Sequence, residues 1–190
     1  MANILAILSF SGVVQGIIIG GVLAFITSQI LGRTKIKKIN GWSTIYGCGV
    51  PGNGMLLRAA CYQLFPGPVN VPQEAMYWTT SVAGAGNYLM HFPPGGLPPN
   101  DAFWSLTMSD AKNDFVANPI NRYIVSDRSG LAQNPDGSTD IYLQNSAPAG
   151  HESNWLPAPR GKFILWLRVY IPGAAILDGS YQVPPVSKVR

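Results

Sequence analysis

Apolar positions along this chain fall into two regimes. From Ile4 to Leu31 they are almost continuous, 28 mostly apolar residues, and residues 1–32 carry no charged side chain. As a helix rising about 1.5 Å per residue, that stretch would run roughly 42 Å. This exceeds the roughly 30 Å hydrocarbon core of a bilayer, so the pattern predicts one transmembrane helix that tilts or protrudes. A cleaved secretory leader would show a basic n-region, a shorter apolar run and a small-residue cleavage site. The segment has none of these, and an uncleaved anchor is the expectation.

Further along, the period changes to two. Phe163, Leu165, Leu167, Val169 and Ile171 fall on one face of a strand, with Ile164, Trp166, Arg168 and Tyr170 on the other. The first face is wholly apolar and is expected in a core; the second mixes amphipathic rings with one charge, as on a surface half covered by something else. Ala102 to Met108 repeats the idea, with the Trp104 face inward. Glu74 to Val82 and Asn87 to Phe92 read as further strands, separated by the AGAG loop at residues 83–86. Breakers such as NPDG (134–137), APAG (147–150) and LPAPRG (156–161) keep the strands short. PPGGLPP (93–99) is a surface crossing.

One short helix is expected over Met55 to Phe65, with Leu56, Ala59, Ala60 and Leu64 on its apolar face and Pro66 ending it. Between anchor and helix, Asn40 to Gly54 reads as a Gly-rich linker. Trp42 and Tyr46 within it fit either the headgroup level of a membrane or a first strand of the following domain. The expected organisation is therefore an anchor over residues 1–32, a basic juxtamembrane segment and linker over 33–54, and a β domain over 55–190.

Charge sharpens this picture. Only 12% of residues are charged against 47% hydrophobic, and the formal net charge is +4. Arg33, Lys35, Lys37 and Lys38 equal that excess, because the remaining nine basic side chains match nine acidic ones. The basicity is thus a juxtamembrane property. It points to phospholipid headgroups as partners and away from nucleic acid, which needs cations spread over a folded face.

Several motifs occur together in a fixed order: RAACYQLF, EAMYWTT and FPPGGLPP, then FWSLTM, NPINRY, DGS..IYLQ, NWLPAP, FILWLRVY and LDGSYQVPPV. In order and spacing they resemble the bacterial domain-of-unknown-function family numbered 1214, over roughly Trp42 to Val189. The resemblance implies a mainly β fold, a jelly-roll-like antiparallel β-sandwich with one short helix, here behind one transmembrane α-helix. It implies an exported domain but no catalytic residues.

No constellation names a reaction. His91 and His151 are the only histidines, Cys48 and Cys61 the only cysteines, and neither pair has metal-ligand spacing. There is no G-x-S-x-G elbow and no phosphate loop ending in G-K-[ST]. No cofactor is expected. His91 reads as a strand histidine, and a site in the mouth of the sandwich would have to combine it with Arg122 and Trp155, a planar donor fork beside a flat ring. The other reading of Arg122 is a structural one, holding two loops together. Cys48 and Cys61 are the sole candidates for a disulfide if the domain lies in an oxidising compartment.

In the anchor, Gly12, Gly16 and Gly20 recur every four residues, the spacing that lets another transmembrane helix approach closely. The expectation is a non-catalytic, single-pass accessory or assembly subunit of a larger membrane complex, respiratory or photosynthetic, with other transmembrane subunits as partners. A membrane-anchored small-molecule binder or enzyme with its site near Arg122 is the competing expectation. The placement is the bacterial inner membrane. The resemblance favours a periplasmic domain, whereas four cations after the span favour the cytoplasm.

Overall fold

A computed structural model describes residues 10–64 and 70–189. Residues 1–9 of the expected anchor, and Pro66 as the expected helix stop, lie outside the described residues. The chain divides into two compact units.

The helical unit contains α1 (Phe10–Thr34) and α2 (Met55–Leu64). At 25 residues, α1 is about 37 Å long. Its stretch Ser11–Thr34 is long and apolar enough to cross a membrane. Arg33 sits in its last turn, where a cation complements the helix dipole. In α2 the buried residues are Leu57, Ala60 and Cys61, while Leu56 is exposed. The buried face is thus rotated from the expected one, because α2 turns Ala60 toward Gly32 and Cys61 into a disulfide with Cys48.

The β unit is built on two sheets. Its strands are β1 (Ile36–Ile39), β2 (Trp42–Ile45), β3 (Ala75–Val82), β4 (Asn87–Phe92), β5 (Asn100–Asp110), β6 (Ile124–Ser126), β7 (Thr139–Gln144), β8 (Trp155–Pro157), β9 (Phe163–Pro172) and β10 (Val186–Val189). A single turn, α3 (Ala174–Leu177), follows β9. One sheet has the order β1-β2-β3-β9-β5-β6 and the other β10-β4-β7-β8. The β7–β8 pair is parallel, and the registered pairs elsewhere are antiparallel.

The apolar faces of both sheets turn into one core. Met76, Trp78, Trp104, Leu106, Leu165 and Leu167 come from the first sheet, and Met90, Phe92, Ile141 and Leu143 from the second. Two aromatic pairs bridge the layers: Phe92 with Trp104 at 5.9 Å between ring centres, and Tyr88 edge-on to Phe163 at 5.8 Å. The fold is mainly β and sandwich-like. The predicted inward faces of β5 and β9 hold, with Trp104 and Leu167 fully enclosed.

Ile171 is different: it is exposed and adopts φ +47°, while Pro172 is buried in its place. Asp101 and Ala102 of β5 stand between Asn100 and Phe103, opposite the single Ile171 between Pro172 and Tyr170 of β9, and this bulge ends the alternation one residue early.

The expected linker is also corrected. Residues 36–45 form a hairpin whose turn residues, Asn40 and Gly41, both have positive φ, the geometry a two-residue turn between twisted strands requires. Trp42 is not at a membrane surface. It is enclosed in the β core, and its indole N–H donates to the Pro184 carbonyl at 2.8 Å.

Candidate functional site

The long helix is the first candidate surface. Its side chains Ile17, Ile18, Ile19 and Leu23 are all well exposed. No atom lies within 4 Å of where a Cβ would stand on Gly16 or Gly20. At its other end the helix shows what a small residue permits. A Cβ on Gly32 would lie 2.8 Å from the Ala60 Cβ and 2.6 Å from a Leu64 methyl, so only glycine lets α2 approach there. Ser28 is buried at the same contact; its hydroxyl donates to the Phe25 carbonyl at 2.8 Å and to Gln63 at 3.4 Å. The Gln29 side-chain amide also donates to Gln63. Cys48 and Cys61, with Cα atoms 5.9 Å apart, join α2 to the segment before it. At 100° per residue, Gly16 and Gly32 stand about 160° apart around the helix axis. The Gly12, Gly16 and Gly20 stripe therefore points away from α2.

The basic run straddles the end of this helix. Arg33 closes α1, Lys35 follows it, and Lys37 and Lys38 belong to β1; all four side chains are exposed. Lys37 places its ammonium 4.6 Å from the centre of the Tyr46 ring, a cation–π contact.

The polar residues singled out in the β unit resolve into two separate arrangements. Arg122 Nη1 donates to three carbonyls, those of Glu152 (3.0 Å), Ser153 (3.0 Å) and Trp155 (2.9 Å). Glu152–Asn154 is a 3-10 turn whose carbonyls have few partners in so short an element, and the guanidinium supplies them. Trp155 is enclosed, with its indole N–H on the Gln144 carbonyl at 2.8 Å, so it offers no flat wall to a ligand. Asn154, also buried, ties the Ala132 loop and β7 together through the Ala132 and Asp140 carbonyls. Arg122 thus joins its own segment to the 152–155 segment through backbone carbonyls.

His91 is elsewhere in the network. Its Nδ1 lies 2.6 Å from an Asp140 carboxylate oxygen, and the imidazole is half exposed. The other Asp140 oxygen accepts from the Asn134 amide at 3.0 Å. Sequence reasoning missed this pair, since its members stand on neighbouring strands 49 residues apart. Among the described residues no group of three or more His, Cys, Asp or Glu side chains could hold a metal ion.

Two of the clefts among the described residues lie on the β unit. One, of about 60 Å³, is lined by Val116 to Pro119 and by Asn145, Pro157, Ala158 and Pro159. The other, of about 440 Å³, lies between the β3–β4 loop, the segment after β7 and the segment before β9. Neither takes Arg122, Trp155 or His91 into its wall.

The profile of the DUF1214 family, described as proteins of unknown function, matches residues 79–174, which is β3 through the start of α3. The chain belongs to the DUF1214 family. Among solved structures it is similar to the VPA0106 protein of Vibrio parahaemolyticus, with 27% identity and a TM-score of 0.57, over 71% of this chain and 35% of that one. An uncharacterized protein of Burkholderia cenocepacia is similar over 70% of this chain and 32% of its own, at 16% identity and a TM-score of 0.46. The chain thus spans about a third of the length of these two proteins. No curated protein matches it. The DUF1214 match covers the strands that carry the core, and it leaves α1, the basic run and α2 outside it.

Proposed function

We propose that this DUF1214 chain is a non-catalytic, single-pass accessory subunit of a larger membrane complex, of respiratory or photosynthetic type. It docks by α1 on a neighbouring transmembrane helix, while the β unit projects from the bilayer. The observation that carries this reading is the open stripe at Gly16 and Gly20 on an otherwise apolar helix. Lipid is as apolar as leucine, so anchoring alone gives no reason for such a groove, whereas close helix packing does. The internal contact at Gly32 is the same device already in use at the other end of the same helix.

The β unit belongs on the periplasmic side of a bacterial inner membrane. The Cys48–Cys61 bond supports an oxidising compartment, and outweighs the four cations that would hold the following domain in the cytoplasm. Those cations, Arg33, Lys35, Lys37 and Lys38, then meet headgroups or acidic partner residues. A site at Arg122 is disfavoured because that guanidinium already serves three carbonyls.

The test is a pair of substitutions, Gly16→Leu and Gly32→Leu, in the chain expressed in its native membrane. Gly16→Leu fills the open stripe and should abolish co-purification of partner subunits while the disulfide still forms. Gly32→Leu should instead loosen α2. Undiminished co-purification by Gly16→Leu would sink the docking role, and protease digestion of the β unit only from the cytoplasmic side would reverse its orientation.

A further inference from the structure

One shallow, solvent-open cleft of the β unit, about 440 Å³, has the volume of small-molecule sites, and every residue that lines it except Pro159 is exposed. Its character is set by charge. Arg160 lines it together with the polar side chains of Asn87, Asn145 and Ser146, and no carboxylate does. Lys188 of β10 is not part of the lining but stands beside Gly86, which is: a Cβ on Gly86 would stand 2.8 Å from Lys188 Cε and 3.5 Å from its ammonium nitrogen. Neither cation has a carboxylate partner, the one ion pair among the described residues being His91 with Asp140.

The walls are held rigidly. Ala85 adopts φ +48°, a left-handed conformation that a non-glycine residue rarely takes, and its N–H donates to the Arg160 carbonyl at 3.0 Å. Gly84, at φ +78°, approaches the Gly161 carbonyl so closely that a Cβ would stand 2.1 Å from its oxygen, and its own carbonyl accepts from the Tyr88 hydroxyl at 2.9 Å. Asn145 donates to the Ala158 carbonyl at 3.2 Å, which ties the third wall to the second. The loop is thus cross-tied beside two exposed cations that have no carboxylate partner among the described residues.

We propose that this cleft binds a phosphate-bearing ligand. Arg160 presents a planar donor fork to two phosphate oxygens, Lys188 adds a point charge from beside Gly86, and the amide and hydroxyl groups of Asn87 and Ser146 complete the shell. The phosphate belongs either to a soluble ester or to a lipid headgroup, and one measurement separates the two. Calorimetric titration of the full chain in detergent, at low ionic strength and with chloride matched, would use inorganic phosphate, glycerol 3-phosphate and dihexanoyl phosphatidic acid. Saturable binding is expected, weakened at least tenfold in Arg160→Gln/Lys188→Gln with an unchanged thermal midpoint. Gly86→Ala, which displaces Lys188 but keeps both charges, should weaken it less. Phosphatidic acid binding tenfold or more tighter than glycerol 3-phosphate identifies a headgroup; equal affinities identify a soluble ester. Absence of saturable binding by every probe, or full affinity in the double variant, overturns the proposal.

Discussion

The two units of this chain keep their apolar side chains in opposite places. In the β unit, Trp104, Leu106, Ile141, Leu165 and Leu167 have 0–1% of their surface exposed. In α1, Ile17 is 70% exposed and Ile18, Ile19 and Leu23 nearly as much. Charge is divided as sharply: no Asp or Glu precedes Glu74, so the helical unit and the β1–β2 hairpin contain no carboxylate at all. The β unit satisfies the demands of water within its own fold, by two facing sheets. The helix satisfies its backbone internally and leaves apolar side chains exposed, as a helix long and apolar enough to cross a membrane would.

Different forces must therefore hold the two units. Burial from water stabilises the sandwich at about 25 cal/mol per Å² of apolar surface. On the proposed reading, with α1 in lipid, no such gain exists for it and close packing between helices takes its place. That is why the informative residues of the sandwich are its largest and those of the helix its smallest.

The strongest way to break this contrast is at Trp104 or Leu167. Truncating an enclosed Trp or Leu to Ala costs about 2–5 kcal/mol, and Trp lies toward the upper end. Chemical denaturation followed by tryptophan fluorescence should show losses of that size for Trp104→Ala and Leu167→Ala. Ile17→Ala, on the exposed helix face, should leave the denaturation midpoint of the β unit where it was. A loss under about 1 kcal/mol at Trp104 would contradict the enclosed position assigned to it.

Next in size is the disulfide. It closes a loop with 12 residues between the cysteines, close to the 15-residue case worth about 3 kcal/mol in the chain-entropy model. The effect should stay local. Cys48→Ser/Cys61→Ser should speed proteolysis and hydrogen exchange in α2 and leave the exchange of β3, β5 and β9 unchanged. Slower exchange recovering in α2 on reoxidation of the wild type, but not of the variant, would tie the effect to the bond. Equal exchange of α2 in both proteins would remove the bond from the account of that unit.

How much of this could be read from the sequence follows the range of the interactions concerned. Alternation along β5 and β9 is local, so their inward faces were legible. Ile171 was not, because its outward turn comes from a bulge set by pairing with β5, some 70 residues away. Asn40-Gly41 is a strong local hairpin signal that the glycines around it disguised as a linker. Trp42 lay beyond local reading, as the carbonyl that accepts from its indole is 142 residues distant. Gly12, Gly16 and Gly20 stand out by their period. Gly32 does not, although a Cβ there would collide with α2, because its partner Ala60 belongs to a different segment. The cleft at Arg160 was hidden for the same reason: its lining comes from three separate segments, residues 85–87, 145–146 and 159–160.

Arg122 tests the polar side of the β unit. The guanidinium holds three carbonyls at 2.9–3.0 Å, and hydrogen bonds to a charged group are worth about 1.5–3 kcal/mol. Arg122→Ala should cost an amount in that range, discounted for its partial exposure. Arg122→Lys should recover little, since an ammonium cannot keep the planar geometry. Full recovery by lysine would mean that charge and not the fork matters.

The smallest effect sharpens the division of carboxylates. Asp136 accepts from the Ser138 hydroxyl at 2.6 Å and from the Ser138 backbone N–H at 2.9 Å. The hydroxyl bond first, and then the backbone bond, hold its carboxyl below the usual carboxylate range; the His91 charge adds to this. A carboxyl lowered in the folded state contributes stability above its unfolded pKa, and that contribution is lost as pH falls through the folded value. Asp136 is fully exposed, so the energy involved is small and screened. Its titration, however, is measurable by NMR at the carboxyl carbon, and Ser138→Ala should move the midpoint upward. Because α1 and α2 have no carboxylate to protonate, acid in this range should alter amide shifts around the β6–β7 loop and β7 while those of the two helices stay fixed. Helix shifts that titrate in step with Asp136 would show that the units are not electrostatically separate.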